Sequence, residues 1–112
     1  MSLILIVLAI TVPTACDNTN PAWAGYYQAG AIHLSAATCA ALHLRRGCDR
    51  VSALDAVDTI AHELEHARQD RNGENLSERE AVMVARHRAP GMLRRLERAF
   101  GVRCHAVTVD LR

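Results

Sequence analysis

At 112 residues the chain suits one domain with a single modest core and is too short for two. Half of the residues are apolar, which excludes a disordered chain, and a formal net charge of +1 gives no electrostatic footprint for nucleic acid or an anionic membrane. With one Trp, two Tyr and one Phe, the core must be built from Leu, Ile, Val and Ala.

The chain opens on LILIVLAITV, residues 3–12, an apolar run well short of the roughly 20 residues of a membrane span. No stable span is therefore expected. Residues 1–15 read either as a signal or lipoprotein-type segment, with PTAC or AWA as processing sites, or as a buried N-terminal strand ended by Pro13. No Lys or Arg precedes the run, which favours the strand. CDNTNPAWAG, residues 16–25, is dense in turn-forming residues and reads as a loop. GYYQAGAIHL then predicts a hairpin around Gln28, Ala29 and Gly30 that ends in a strand over 31–34. Ser35 caps a first helix over 36–46, closed by Gly47.

Ser52 is the expected cap of a second helix, with Asp55 in its first turn and Gly73 at its end. Leu54, Val57, Ile60, Ala61, Leu64 and Ala67 recur at helical spacing and form one apolar stripe. Ser77 and Glu80 spell a capping box for a third helix over 78–87, stopped by Pro90. A short fourth helix follows over 92–100, ended by Gly101, and residues 102–111 predict a terminal strand. The arginines between 86 and 98 are mixed with Glu97 and read as a solvated helix face. The order predicts a single α+β domain over 1–112 with a small sheet.

Four cysteines, Cys16, Cys39, Cys48 and Cys104, read as two disulfides in an oxidising compartment and as buried thiols elsewhere. A helix over 36–46 would separate Cys39 from Cys48 by about 10 Å or more. A disulfide needs Cα atoms within roughly 7 Å, so that pairing requires the helix to stop early. Links from either residue to Cys16 or Cys104 are easier.

On the second helix HELEH places His62 and His66 at i and i+4, one turn apart on one face. That is the spacing two imidazoles need to bind one zinc ion. Glu63, beside His62, sits at the rim of this face, placed to take a proton from an attacking water without being a ligand. Third ligands are available just beyond Gly73. Glu78 shares its helix face with Ala81, Val82 and Ala85, the side expected to pack on the second helix, whereas Glu80 is engaged by the capping box. Glu78 is the expected third ligand, ahead of Glu80 and then Glu74. Cys39, His43 and Cys48 form only a partial metal-like set. No phosphate-binding Gly-rich loop or G-x-S-x-G elbow is present.

HELEH followed by EREA resembles the gluzincin group of zinc metallopeptidases, and most closely the minimal zincin domain of the ImmA/IrrE type. The likeness runs over about residues 25–88 and is specific at His62, Glu63, His66, Glu78 and Ala81. It implies a zincin-like fold and Zn2+ held by His62, His66 and Glu78, with Glu63 as general base. It also implies an edge strand equivalent to Ala31, Ile32, His33 and Leu34 that binds a peptide or protein substrate beside the cleft. Val82 departs from the pattern, standing where that family has Asn and other gluzincins Asp to steady a ligand. Asp58 and Asp70, each one turn from a ligand histidine, are the residues placed to compensate. Tyr26, Tyr27, His33 and His87 are the candidates for steadying a developing oxyanion.

The expected activity is zinc-dependent peptide-bond hydrolysis. Two other readings stand beside it: a zincin-fold module that keeps its metal but only binds partners, and a disulfide-stapled structural protein in which HELEH is accidental.

Overall fold

The computed structural model describes residues 1–106. They form an α+β domain whose elements run α1 (Ser2–Val7), β1 (Thr14–Asn18), β2 (Gly25–Gln28), β3 (Ala31–Ser35), α2 (Ala36–Ala41), α3 (Arg50–Arg71) and α4 (Glu78–Phe100), with a 3-10 turn at Leu44–Arg46. No helix among the described residues is long and apolar enough to cross a membrane.

The spine is α3, sandwiched between the sheet and α4. Along α4, Ala81, Ala85, Ala89, Leu93 and Leu96 are buried at three- and four-residue spacing, a single stripe facing the core. Ala53, Ala56, Val57, Ile60 and Ala61 are the buried residues of α3 that complete this layer. Small side chains on both helices permit a close approach.

Pro90 does not stop the helix, contrary to the break expected there, and the two predicted helices over 78–87 and 92–100 are one. Proline inside a helix costs about 3 kcal/mol. Ala85 and Ala89 before it, and Leu93 and Leu96 after it, keep one continuous stripe against α3. Burying the four together outweighs the missing backbone bond. The Ser77 cap is as expected, its hydroxyl accepting the Glu80 N–H at 3.2 Å. On α3 the cap lies one turn earlier than Ser52: Asp49 accepts from the Ser52 N–H at 3.1 Å and from its hydroxyl at 2.8 Å.

The sheet has the order β1-β3-β2. β2 and β3 form the expected hairpin, pairing Tyr26 with His33 and Tyr27 with Ile32, with Ala29 and Gly30 at positive φ in the turn. β1 joins β3 in parallel through Thr14↔Ile32 and Ala15↔His33. Two expectations are corrected. The apolar run over 3–12 forms α1 and its exit turn, with Ile4 and Leu8 buried, rather than a strand; a continuous apolar run carries no period that separates the two. Strand pairing starts only after Pro13, whose carbonyl accepts from the Ile32 N–H at 2.8 Å, so β1 occupies the first residues of the expected loop.

Ser35 caps α2 as expected, accepting from the Thr38 N–H, but the helix ends at Ala41 and gives way to the 3-10 turn before Gly47, where φ is +117°. The cysteines pair Cys16–Cys39, joining β1 to α2, and Cys48–Cys104, joining the approach to α3 to the exit from α4. Beside the second link, His105 bridges Asp49, with its carbonyl accepting from the Arg50 N–H at 2.9 Å. Of the terminal strand expected over 102–111, residues 107–111 lie outside the described residues.

Cys48–Cys104 spans 56 residues, so it removes much of the freedom of the unfolded chain. Replacing both cysteines with alanine is expected to lower the unfolding free energy by about 2–4 kcal/mol. Urea denaturation of the variant reads this directly, and an unchanged midpoint would show the cross-link to be energetically silent.

Candidate metal centre

His62 and His66 leave α3 on the side where α4 begins, their ring centroids 4.8 Å apart and their planes at 79°. Glu78, the first residue of α4, carries its carboxylate across both rings. Its Oε2 lies 2.9 Å from His62 Nε2 and its Oε1 2.6 Å from His66 Nε2. One carboxylate therefore meets the same nitrogen of each imidazole, and three side chains from two helices converge on one point. The burial is graded: His66 is buried, His62 partly so, and the Glu78 side chain is 77% exposed.

Glu63 lies on the inner side of this cluster. Donor atoms of His62, Glu63 and His66 all fall within 4.8 Å of one another, so the group can hold a metal ion. Glu78 does not belong to that compact trio, yet it is the carboxylate in contact with both Nε2 atoms. The two acids thus take different places, Glu78 bridging the rings from the open side and Glu63 buried beside them. Burial pushes the Glu63 carboxyl up to about 7; the charge of Glu78 adds to the rise and His66 opposes it. The donor set, two imidazole nitrogens and a carboxylate with a further carboxylate alongside, has the chemistry of a divalent transition-metal site. Two ligands of a tetrahedral ion stand about 3.3 Å apart, so the two contacts of Glu78 with the imidazoles would open by roughly half an ångström to admit one.

The alternatives to Glu78 are disposed of by Arg68. Its guanidinium pairs with Glu65 at 2.6 Å, Glu74 at 3.1 Å and Glu80 at 3.3 Å. Glu74 and Glu80 are thereby drawn to Arg68 and not to the histidines. Asp70 is also engaged, accepting a hydrogen bond from the Tyr27 hydroxyl at 2.5 Å. Asp58 has a buried Oδ1 without a hydrogen-bond partner among the described residues. Val82 is exposed and supports no ligand.

In front of the cluster lies an open cleft lined by Trp23, Tyr26, Tyr27, Leu76 and Glu78, with His62, Glu63 and His66 at its floor. The expected cleft edge at Ala31, Ile32, His33 and Leu34 is corrected. β3 is the central strand, paired on both sides, and Ile32 and Leu34 are in the core. The strand beside the cleft is β2, an outer strand of the sheet. Alternation of apolar residues identifies AIHL as a strand but carries no information on its neighbours. His33 stacks on Tyr26 at 4.7 Å and contacts Asp17 through Nδ1 at 2.7 Å; neither it nor His87 lines the cleft.

Three participants were not singled out from the sequence. Trp23 and Leu76, each 55% exposed, flank the cleft from loops that carry no periodic pattern. Gln69 is fully buried behind His66, its Oε1 3.2 Å from His66 Nδ1. Its only signal in the sequence is its position three residues after a histidine. No family model, curated protein or solved structure matches the chain.

The cleft wall depends on a close approach at Gly25. A Cβ there would stand 2.9 Å from Thr59 Cγ2 and 3.0 Å from Leu34 Cδ2. Gly25→Ala is therefore expected to destabilise the fold by about 1–3 kcal/mol through overpacking. Thr59→Ser, which removes the offending methyl, should recover part of that loss in the double variant; strict additivity in thermal unfolding would refute the contact.

Proposed function

We propose that the chain is a zinc-dependent peptidase in which His62, His66 and Glu78 hold the ion and Glu63 is the general base. The observation that carries this reading is the Glu78 carboxylate lying across both Nε2 atoms while a second, buried carboxylate stands beside them. Zinc is favoured by the two-nitrogen, one-carboxylate donor set, which leaves a coordination position for a reactant. When bound, zinc supplies Lewis-acid polarisation of a carbonyl and acidifies water at neutral pH.

The remaining steps belong to the chain. Glu63 accepts a proton on a carboxylate oxygen as water attacks the scissile carbonyl, then returns it to the leaving amine nitrogen. Its burial suits this work, since desolvation makes the carboxylate a stronger base toward the proton it takes. The outer edge of β2 offers backbone groups to an extended peptide, which strand addition would lay along the cleft. Trp23 and Leu76 offer apolar contact to substrate side chains on either side. The resemblance to minimal zincin domains agrees with this arrangement through the HELEH and EREA residues.

The purified chain is expected to bind one zinc ion, with binding lost or sharply weakened in His66→Ala and in Glu78→Ala. Glu63→Gln should retain zinc and lose at least about 100-fold in hydrolysis of unfolded casein. Zinc retained in a parent that cleaves nothing would make the protein a metal-holding interaction module. No zinc after reconstitution would return HELEH to a charged helix face in a disulfide-stapled domain.

A further inference from the structure

Gln69 is the most completely buried polar side chain among the described residues, with no exposed surface. A buried amide is costly unless its donors and acceptors are engaged. Here they join the two halves of the centre. Oε1 accepts the Ser77 backbone N–H at 2.8 Å, and the same oxygen lies 3.2 Å from His66 Nδ1. The amide nitrogen faces the Ser77 carbonyl at 3.4 Å.

The order of these contacts fixes the place of one ring hydrogen. A backbone N–H can only donate, so Ser77 fixes which end of the Gln69 amide is the oxygen. That oxygen can only accept. His66 Nδ1 must then carry hydrogen, which makes Nε2, the atom turned toward Glu78 and His62, the nitrogen that can give its lone pair to a metal when the ion displaces the proton shared there with Glu78. Ser77 is also the N-cap of α4, immediately before Glu78. One side chain thus sets the tautomer of a ligand on α3 and the position of the residue that introduces a ligand on α4.

We infer that Gln69 is the positioning residue of the centre, selecting the metal-binding tautomer of His66 and clamping the α4 cap that presents Glu78. The inference rests on the metal-centre reading above and supplies from within α3 the support that Val82 does not give. It requires that the Gln69 acceptor, and not merely its bulk, governs metal affinity.

The test compares the parent with Gln69→Leu, Gln69→Met and Gln69→Glu, using zinc alone as the probe. Each chain is measured for its zinc dissociation constant, its unfolding temperature without metal, and the imidazole nitrogen shifts of His66 in metal-free, 15N-labelled protein. Gln69→Leu is expected to weaken zinc by roughly 10–100-fold and to lose the hydrogen on Nδ1 that the parent shows. Gln69→Met, long and adaptable enough for a buried site, gives the same reading should leucine prevent folding. Gln69→Glu keeps an acceptor for both N–H groups and should return affinity to within a few-fold of the parent. A purely structural residue would lower the unfolding temperature in every variant while leaving the zinc constant of the folded chain unchanged, and that result overturns the inference. So does a parent whose His66 carries hydrogen on Nε2 alone. A parent that binds no zinc removes the metal centre and the positioning role together, whereas tight binding in the parent and equally in Gln69→Leu removes only the role of Gln69.

Discussion

Two helices can approach closely only where their side chains are small, and the pairing of α3 with α4 is made that way. The α4 stripe begins with three alanines before turning to leucine, and α3 answers with alanines of its own. The alanine end of that stripe is the end that carries the histidines. Ala81 is fully buried three residues after Glu78, so the first turn of α4 lies against α3 at the level of His62 and His66. The reach of a glutamate then suffices to cross both rings. Larger residues at 81 and 85 would lift that turn away, and the carboxylate would no longer meet both nitrogens. Helix packing and site geometry are here a single constraint.

The charges around the centre are sorted rather than spread. The stretch from 63 to 80 contains five glutamates, each of which reads in isolation as solvated helix charge or as a ligand. Arg68 gathers Glu65, Glu74 and Glu80, and in doing so ties α3 to the connecting loop and to the first turn of α4. Glu63 and Glu78 remain with the histidines. Glu65 is buried beneath the guanidinium, which makes that pair more than a surface contact; the bonds to Glu74 and Glu80 are exposed and contribute little individually. Their value lies in direction, because a carboxylate held by Arg68 cannot compete for the metal site.

What the sequence made legible was whatever depends on near neighbours. HELEH on one helix face, the Ser77 and Ser35 caps and the β2–β3 hairpin each follow from residues within a few positions of one another. The features that escaped it are long-range. Pro90 reads as a stop until the stripe on both sides of it is seen to be buried as one. The run over 3–12 has no period, so its helical state is decided by what Ile4 and Leu8 pack against. AIHL reads as a strand, but its place between β1 and β2 depends on a parallel partner seventeen or eighteen residues earlier in the chain. The same division holds within the site: the two histidines are visible by spacing, and the support behind them is not.

That support explains how a small domain holds a demanding geometry. A ligand histidine needs a partner for its second nitrogen, and the usual partner is a carboxylate or carbonyl from elsewhere in the fold. With Asp70 engaged by Tyr27 and Val82 unable to accept, the acceptor for His66 comes from the next turn of its own helix. An amide at that position does two things a carboxylate would not do as cheaply. It adds no negative charge to a buried cluster that already contains Glu63, and its two ends match the N–H and carbonyl of Ser77. The neutral side chain therefore supports both ligand-bearing helices without raising the electrostatic cost of placing two carboxylates beside two histidines.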